Sequence, residues 1–434
     1  MCGIVGYIGQ NNTSEILLNG LKRLEYRGYD SSGLCIVADE NLTTYKKKGR
    51  IAELESSLPA AVIPGKIGIS HTRWATHGEP NETNAHPHLD CKNDIGIVHN
   101  GIIENYRSLK ELLEKEGHTF VSETDSEVLA HLIEKFYQGD LEQAVIQTLK
   151  LVEGAFGLAA VHKNENRLVA ARRGSPLVVG VGDGEMLIAS DVSAILDRTK
   201  RVIYLNDNEV VNITADGFSV KDLNGVTVDK QIDQIKWTVD EIEKGGYKHF
   251  MLKEIFAQPE SLENTLSGHI RGGKVKLTVN IRPNDTRRII LVACGTSWHA
   301  ALIGKYYLES FTGIPVEVDY ASEFRYRNPV VGPDDLVIAI SQSGETADTL
   351  AAIKEAQSKG ALTLGIVNVV GSTIARDVES GIYLHAGPEI GVASTKAFSC
   401  QVIDLLLLAL YFRQQQGKEL DTDLLKDLQK IPEQ

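Results

Sequence analysis

The sequence changes rhythm near its middle, and that change limits the possible folds more than any single residue does. Up to about residue 230, short strand-like runs follow one another, many carrying glycine: CGIVGYIG, GLCIVA, KIGIS, IGIVHNG, FGLAAVH and RLVAARRG. Helical spacing appears in two stretches, Ser14 to Leu24 and the region from Tyr106 to Leu151, where Val128, Leu129, Leu132, Ile133 and Phe136 recur on one face. This is an α+β pattern and predicts sheets packed between helices. From about Arg288 the beat becomes strand then helix: RIILVACG, PVEVDYA, LVIAISQSG, LTLGIVNV and GIYLHAG are separated by helical stretches such as Thr349 to Ser358. That alternation predicts a parallel, doubly wound α/β sheet. The stretch from Ile232 to Leu262 reads as the junction, so we divide the chain at 1–240 and 241–434.

A chain of 434 residues is long enough for two or three compact units at roughly 150 residues each. With 42% apolar and 24% charged residues it has the composition of a globular protein rather than a disordered or fibrous one. The longest nearly apolar run, Val402 to Phe412, contains Asp404 and falls short of the roughly 20 residues that cross a bilayer, so no membrane association is expected. The net charge is −13 and the basic residues are scattered, which argues against nucleic acid or an anionic membrane as partner. A phosphate ligand stays open, held by local dipoles and hydroxyls. The N-terminus lacks the features of an export signal, and a cytoplasmic protein is expected. Five cysteines without a CxxC pair argue for reduced thiols. Cys35 and Cys294 read as buried small hydrophobes, and Cys91 and Cys400 carry no clear signal.

Cys2 is different. Once the initiator methionine is removed, it carries both a thiol and a free α-amino group. An α-amine with a pKa of about 7.7 to 8.0 is partly unprotonated at neutral pH and takes the thiol proton. The thiolate then attacks an acyl carbon. Downstream lie HTRWATHG (71–78), NAHPH (84–88), VHNG (98–101) and ETDSE (123–127), each at a strand end or turn. Arg73 has the planar fork that suits an α-carboxylate, and Asp125 the anion that suits an α-ammonium. Asn100 and the backbone N–H of Gly101 are donors for a developing oxyanion. Thr76 and His77 are placed to position a substrate, and Trp74 to exclude water. Singly, such residues are ordinary surface ion pairs and turns. A metal site is the competing reading for His71, His77, His86, His88 and His99. Their spacing does not match a pattern such as HExxH, and no metal is expected.

MCGIVGYIG, YRGYDSSG, HTRWATHG, HPH, HNG and TDSE, in this order, resemble the glutaminase domain of the N-terminal-nucleophile (Ntn) amidotransferases. YRGYDSSG and RWATHG are most similar to the glutamine:fructose-6-phosphate aminotransferase family. The resemblance implies a four-layer αββα Ntn-hydrolase fold and hydrolysis of glutamine through a γ-glutamyl thioester on Cys2. It implies that Arg73 and Asp125 grip the amino-acid end of glutamine, that Asn100 and Gly101 form the oxyanion hole, and that Trp74 belongs to a gate.

In the second half two hydroxyl-rich loops follow strands and run into helices: CGTSWHA (294–300) and SQSGETADT (341–349). Ligands of open α/β sheets bind beyond the carboxyl ends of strands, where helix N-termini offer free N–H groups and partial positive charge. Ser and Thr also cap helices, so one such loop alone means little; two in one parallel sheet point to phosphate. The loops resemble those of the sugar isomerase (SIS) fold, and GPEIGVASTKAF (387–398) and KGGYKHFMLKEIFAQP (244–259) are similar to segments of the same aminotransferase family. By that resemblance Thr296, Ser297, Ser341, Gln342, Ser343 and Thr346 would contact fructose 6-phosphate, with Val392 near the sugar, and the SIS domain would form a homodimer. No cofactor is implied. In the family a second SIS domain and a C-terminal tail follow, so this chain, ending at Gln434, reads as a fragment. Lys396 and Glu389 are not assigned the missing roles, since a loop lysine is usually a solvated surface charge. Other readings are an uncoupled glutaminase, a sugar-phosphate sensor without chemistry, and an amidotransferase acting on phosphoribosyl pyrophosphate. The last needs an acidic pair after a strand, whereas Asp334 and Asp335 precede LVIAI.

Overall fold

The computed structural model describes residues 2–59, 63–75, 77–235 and 238–433. The chain forms two compact units, residues 1–236 and 237–434.

The first unit is built on two antiparallel sheets. One has eight strands in the spatial order Asp233–Gln234, Arg201–Tyr204, Val178–Val181, Met186–Ala189, β1 (Gly3–Ile8), β2 (Ile67–Arg73), Ser31–Ala38 and Asn41–Lys48. The other has six: Gly217–Asp222, Glu209–Thr214, Leu168–Arg173, Gly154–His162, β3 (Ile95–Ile103) and His88–Leu89. Short connections force antiparallel neighbours. Ser31–Ala38 and Asn41–Lys48 are joined by Asp39 and Glu40, both at positive φ (48° and 60°), as a tight hairpin requires. The inner faces meet in a core that includes Ile4, Ile69, Val98, Ala159, Val179 and Ile188. Helix α1 (Thr13–Leu24), with Asn12 at its N-cap, buries Leu17, Leu21 and Leu24 and lies along the first sheet. Three helices, α2 (Tyr106–Lys115), α3 (Glu127–Phe136) and α4 (Leu141–Leu151), bury Leu113, Leu129, Ile133 and Val145 with Ile97, Leu158 and Val169 of the second sheet. The layers are helix, sheet, sheet, helix. This is the αββα arrangement that the Ntn resemblance implies.

The second unit contains a five-stranded, wholly parallel sheet in the order Val316–Tyr320, β4 (Arg288–Ala293), β5 (Asp335–Ser341), Leu362–Val367, Ser380–Tyr383. These are the five strand-like runs of the second half. Apolar residues of α5 (Gly295–Thr312) and α7 (Lys396–Gln415) cover one face; Ala321 and Phe324, with Leu350 and Ile353 of α6 (Ala347–Ser358), cover the other. The chain leaves β4 toward one edge and returns to the other side of it as β5, so the sheet reverses its winding between these strands. Such a switch point opens a crevice at the carboxyl ends. Helix α7 extends well beyond the Val402–Phe412 run and is long and apolar enough, by length and composition, to cross a membrane. Thirteen of its twenty residues are buried within the protein.

Candidate active site

Register brings the first-half residues together. Gly3 pairs with Thr72, so Cys2, the residue just before β1, lies beside Arg73 at the end of β2. The Trp74 N–H donates to Cys2 Sγ at 3.3 Å, and the thiol donates in turn to the Trp74 carbonyl at 3.5 Å. Burial pushes the Cys2 thiol above its ordinary pKa; the Trp74 N–H and the Arg73 charge pull it back, and the Asp30 carboxylate reinforces the rise. A thiol so placed needs a base to ionise at neutral pH.

Asn100 comes from the facing sheet. Its Nδ2 donates to the Cys2 carbonyl at 3.2 Å, and its Oδ1 lies 2.9 Å from His71 Nε2. His71 is fully buried, and that burial lowers its pKa to about 3, so the ring is neutral. Its Nε2–H donates to Oδ1, which turns the amide nitrogen toward Cys2. Next to Asn100, Gly101 sits at φ 138°, where an added Cβ would stand 2.0 Å from the Ala155 carbonyl oxygen. No other residue fits.

Arg73 is almost wholly buried, and its guanidinium donates to the carbonyls of His77, Gly78 (3.2 Å) and Glu79 (3.4 Å). That loop is tied in turn to the next one: Asn84 Nδ2 donates to Glu79 O and to Glu123 Oε2, both at 3.0 Å, and the Glu123 N–H donates to Asn84 Oδ1 at 2.9 Å. Two residues on, Asp125 is buried and its Oδ2 accepts the Ile103 N–H at 2.7 Å. Trp74 is nearly half exposed, its ring edge-on to Tyr29 at 5.2 Å; His77 meets Tyr106 in the same way at 5.4 Å. Thr76 lies outside the described residues.

The YRGYDSSG segment lines the same corner. Gly28 is needed because a Cβ there would lie 2.6 Å from the Arg73 carbonyl carbon. The Asp30 carboxylate accepts the Ala75 N–H and the Ser31 hydroxyl. His86 packs against His71 with the rings tilted (centroids 4.2 Å apart) and edge-on against His88 (4.5 Å), and burial holds these rings and His99 below their ordinary pKa, as neutral packing groups. No local pattern marks His71, Asn84 or Glu123 as positioning residues; their one signal is that they stand in the HTRWATHG, NAHPH and ETDSE segments.

In the second unit, Ala293 of β4 pairs with Ile340 of β5, so the two hydroxyl-rich loops leave the sheet side by side at the switch point. Thr296 and Ser297 lie in the first turn of α5, and the Ser297 hydroxyl accepts from Gln401 Nε2 of α7 at 2.9 Å. Ser341 Oγ accepts the Gly344 N–H at 3.0 Å and lies 3.2 Å from the Thr346 hydroxyl; Ser343 Oγ accepts the Glu345 N–H at 3.1 Å. The Gln342 carbonyl accepts the Asn368 N–H. Thr346 occupies the N-cap of α6, yet its side chain makes no cap hydrogen bond. Val392 is 86% exposed. One expectation is corrected: Lys396 is 7% exposed, not a solvated loop charge. It opens helix α7, burial lowers its pKa, and the Glu254 and Glu389 carboxylates partly offset that effect. Glu389 caps the same helix by accepting the Thr395 and Ala397 N–H groups at 2.9 and 3.2 Å. Cys400 is buried and Cys294 only partly so.

Residues 71–197 match the glutamine amidotransferase domain family, and residues 284–411 match the SIS domain. A glutamine–fructose-6-phosphate aminotransferase (isomerizing) of Chlorobaculum tepidum is 53% identical over 94% of this chain and 69% of its own length. Enzymes of the same name from Thermus thermophilus and Aquifex aeolicus are 49% and 50% identical over the whole of this chain and 72% of theirs. The chain belongs to the family of isomerizing glutamine–fructose-6-phosphate aminotransferases.

Proposed function

We propose that this chain hydrolyses glutamine at Cys2 and that the ammonia released serves the conversion of fructose 6-phosphate to glucosamine 6-phosphate. The α-amine of the processed N-terminus takes the thiol proton, and the thiolate attacks the γ-amide carbon. As the C–S bond forms, the carbonyl oxygen gains negative charge. Asn100 Nδ2 carries two hydrogens; one goes to the Cys2 carbonyl, and the other, with the Gly101 N–H, meets the oxyanion. The amine returns its proton to the leaving nitrogen, the C–N bond breaks and ammonia departs. Water then attacks the thioester carbon, releasing glutamate and restoring the thiol. Arg73 and Asp125 hold the α-carboxylate and α-ammonium, Thr76 and His77 position the substrate, and Trp74 shields the site.

In the second unit, Thr296, Ser297, Ser341, Gln342, Ser343 and Thr346 offer hydroxyl, amide and backbone N–H donors to the phosphate of fructose 6-phosphate at the switch point, with Val392 toward the sugar. The amination and isomerisation of the sugar are the part of the reading carried by family membership alone. We also read the chain as a cytoplasmic homodimer associating through its second unit; the free state of the described cysteines fits a reducing compartment.

The observation that carries this reading is the amide of Asn100 held by His71 with its nitrogen toward Cys2. Glutamate release from glutamine is the test. The purified chain should release glutamate, and Cys2→Ala and Asn100→Ala should lower the rate by at least about a hundredfold. Release at the original rate by the Cys2→Ala protein would refute the proposal.

A further inference from the structure

Away from Cys2, four side chains of the first unit converge from three places. Cys91 stands in the turn after His88–Leu89, His118 just beyond the end of α2, and His131 with Glu134 three residues apart on α3. Their ligand atoms all lie within 4.8 Å of one another. Cys91 Sγ is 3.4 Å from His131 Nδ1 and 3.6 Å from His118 Nδ1. Glu134 Oε2 is 3.0 Å from His118 Nδ1 and 3.6 Å from His131 Nδ1. An ion bound tetrahedrally at about 2.0–2.3 Å keeps its ligand atoms about 3.3–3.6 Å apart, so these four side chains already stand near the corners of such a site.

The ring orientation agrees. His131 is 1% exposed, and its Nε2 lies 3.5 Å from Glu127 Oε1. Glu127 is itself fixed by the N–H groups of Val121 and Ser122 at 2.8 and 2.7 Å. Glu127 thus stands behind the Nε2 side of the ring while Nδ1 is the nitrogen near Cys91 and Glu134, the placement of an outer-shell carboxylate behind a metal-bound histidine. Two imidazoles, a thiolate and one carboxylate suit Zn²⁺, whereas Mg²⁺ and Ca²⁺ favour all-oxygen sets.

We propose that Cys91, His118, His131 and Glu134 bind one Zn²⁺ ion in a closed, four-coordinate structural site. With every position taken by protein, the ion has no place for a reacting water; it cross-links two turns to α3. That helix begins two residues after Asp125, so the ion braces the segment that presents this carboxylate. The ion binds the Cys91 thiolate and so displaces the thiol proton, and binding weakens as pH falls.

The test uses the full chain, stripped with a chelator and titrated with Co²⁺ alone, then with Zn²⁺ against a chromophoric chelator. One Co²⁺ per chain should bind with a thiolate-to-metal charge-transfer band and intense tetrahedral d–d bands, and one equivalent of Zn²⁺ should displace it. Cys91→Ser should abolish the charge-transfer band and weaken Zn²⁺ binding at least about tenfold, and His118→Ala should weaken it as much. Cys2→Ala should leave the spectrum unchanged. Cys91 is exposed and His118 partly so, and the metal-free variants should melt with the metal-free parent. Uptake well below one equivalent, or a charge-transfer band that survives Cys91→Ser, would mean that the cluster is a hydrogen-bond network only and would overturn the proposal.

Discussion

His71 Nε2 and Asn100 Oδ1 meet at 2.9 Å inside the first unit, and this contact decides which end of the Asn100 amide faces Cys2. Without the imidazole the amide is free to turn its oxygen toward the sulfur, presenting an acceptor where the reaction needs a donor. His71→Ala should therefore lower the glutaminase kcat by about ten- to a hundredfold with little change in KM. The loss should not add to that of Asn100→Ala, because the two residues act as one unit. Steady-state glutamate release by the single and double variants checks both points. Because burial lowers the pKa of the ring to about 3, it is neutral from pH 5 to 9 and the contribution of His71 should not vary across that range.

Gly101 makes a second demand on the same turn. An alanine there would be strained by its φ of 138° and would place a methyl group 2.0 Å from the Ala155 carbonyl oxygen. Gly101→Ala should cost about 2 kcal/mol or more and lower the melting temperature of the first unit, measured by calorimetry, along with the glutaminase rate.

Thr346 separates capping from ligand binding. Its hydroxyl stands at the N-cap of α6 but makes no cap hydrogen bond. A true cap would lose about 1 kcal/mol on truncation. Thr346→Val should instead leave the unfolding free energy within about 0.5 kcal/mol of the parent. It should weaken binding of fructose 6-phosphate about tenfold, read by isothermal titration.

Asp404 carries a pH dependence. It lies on α7, fully buried, and neither carboxylate oxygen has a hydrogen-bond partner among the described residues. Burial raises its pKa well above the ordinary aspartate value, so the folded protein keeps a proton that the unfolded chain gives up near pH 4. The stability linked to that proton is fully present below about pH 4 and is lost as pH rises through the folded value. Asp404→Asn should match the parent at low pH and exceed it above that range, giving a flatter plot of melting temperature against pH.

The five parallel strands were legible because each is a continuous apolar run closed by a turn signal. The antiparallel half was legible as alternating short runs; Cys2 and Arg73 drew notice beside strand ends, whereas Asn100 lies inside β3 and Asp125 in the turn before α3. What stayed hidden depends on register and burial. That His71 faces Asn100 follows from the packing of one sheet on another, which no local pattern encodes. Lys396 read as a surface charge because nothing in GPEIGVASTKAF signals that its first helical turn is covered. Cys91 and His118 are separated by 27 residues and lie on opposite sides of α2, so only the fold brings them to 3.6 Å.

The most direct measurement is the intact mass of the purified chain before and after treatment with a glutamine-like electrophile. The account predicts a mass lacking Met1 and a single adduct on the residue that follows, with glutamate release extinguished in proportion to labelling. A chain that keeps Met1 and hydrolyses glutamine at full rate, or one inactivated by a label elsewhere, would contradict it.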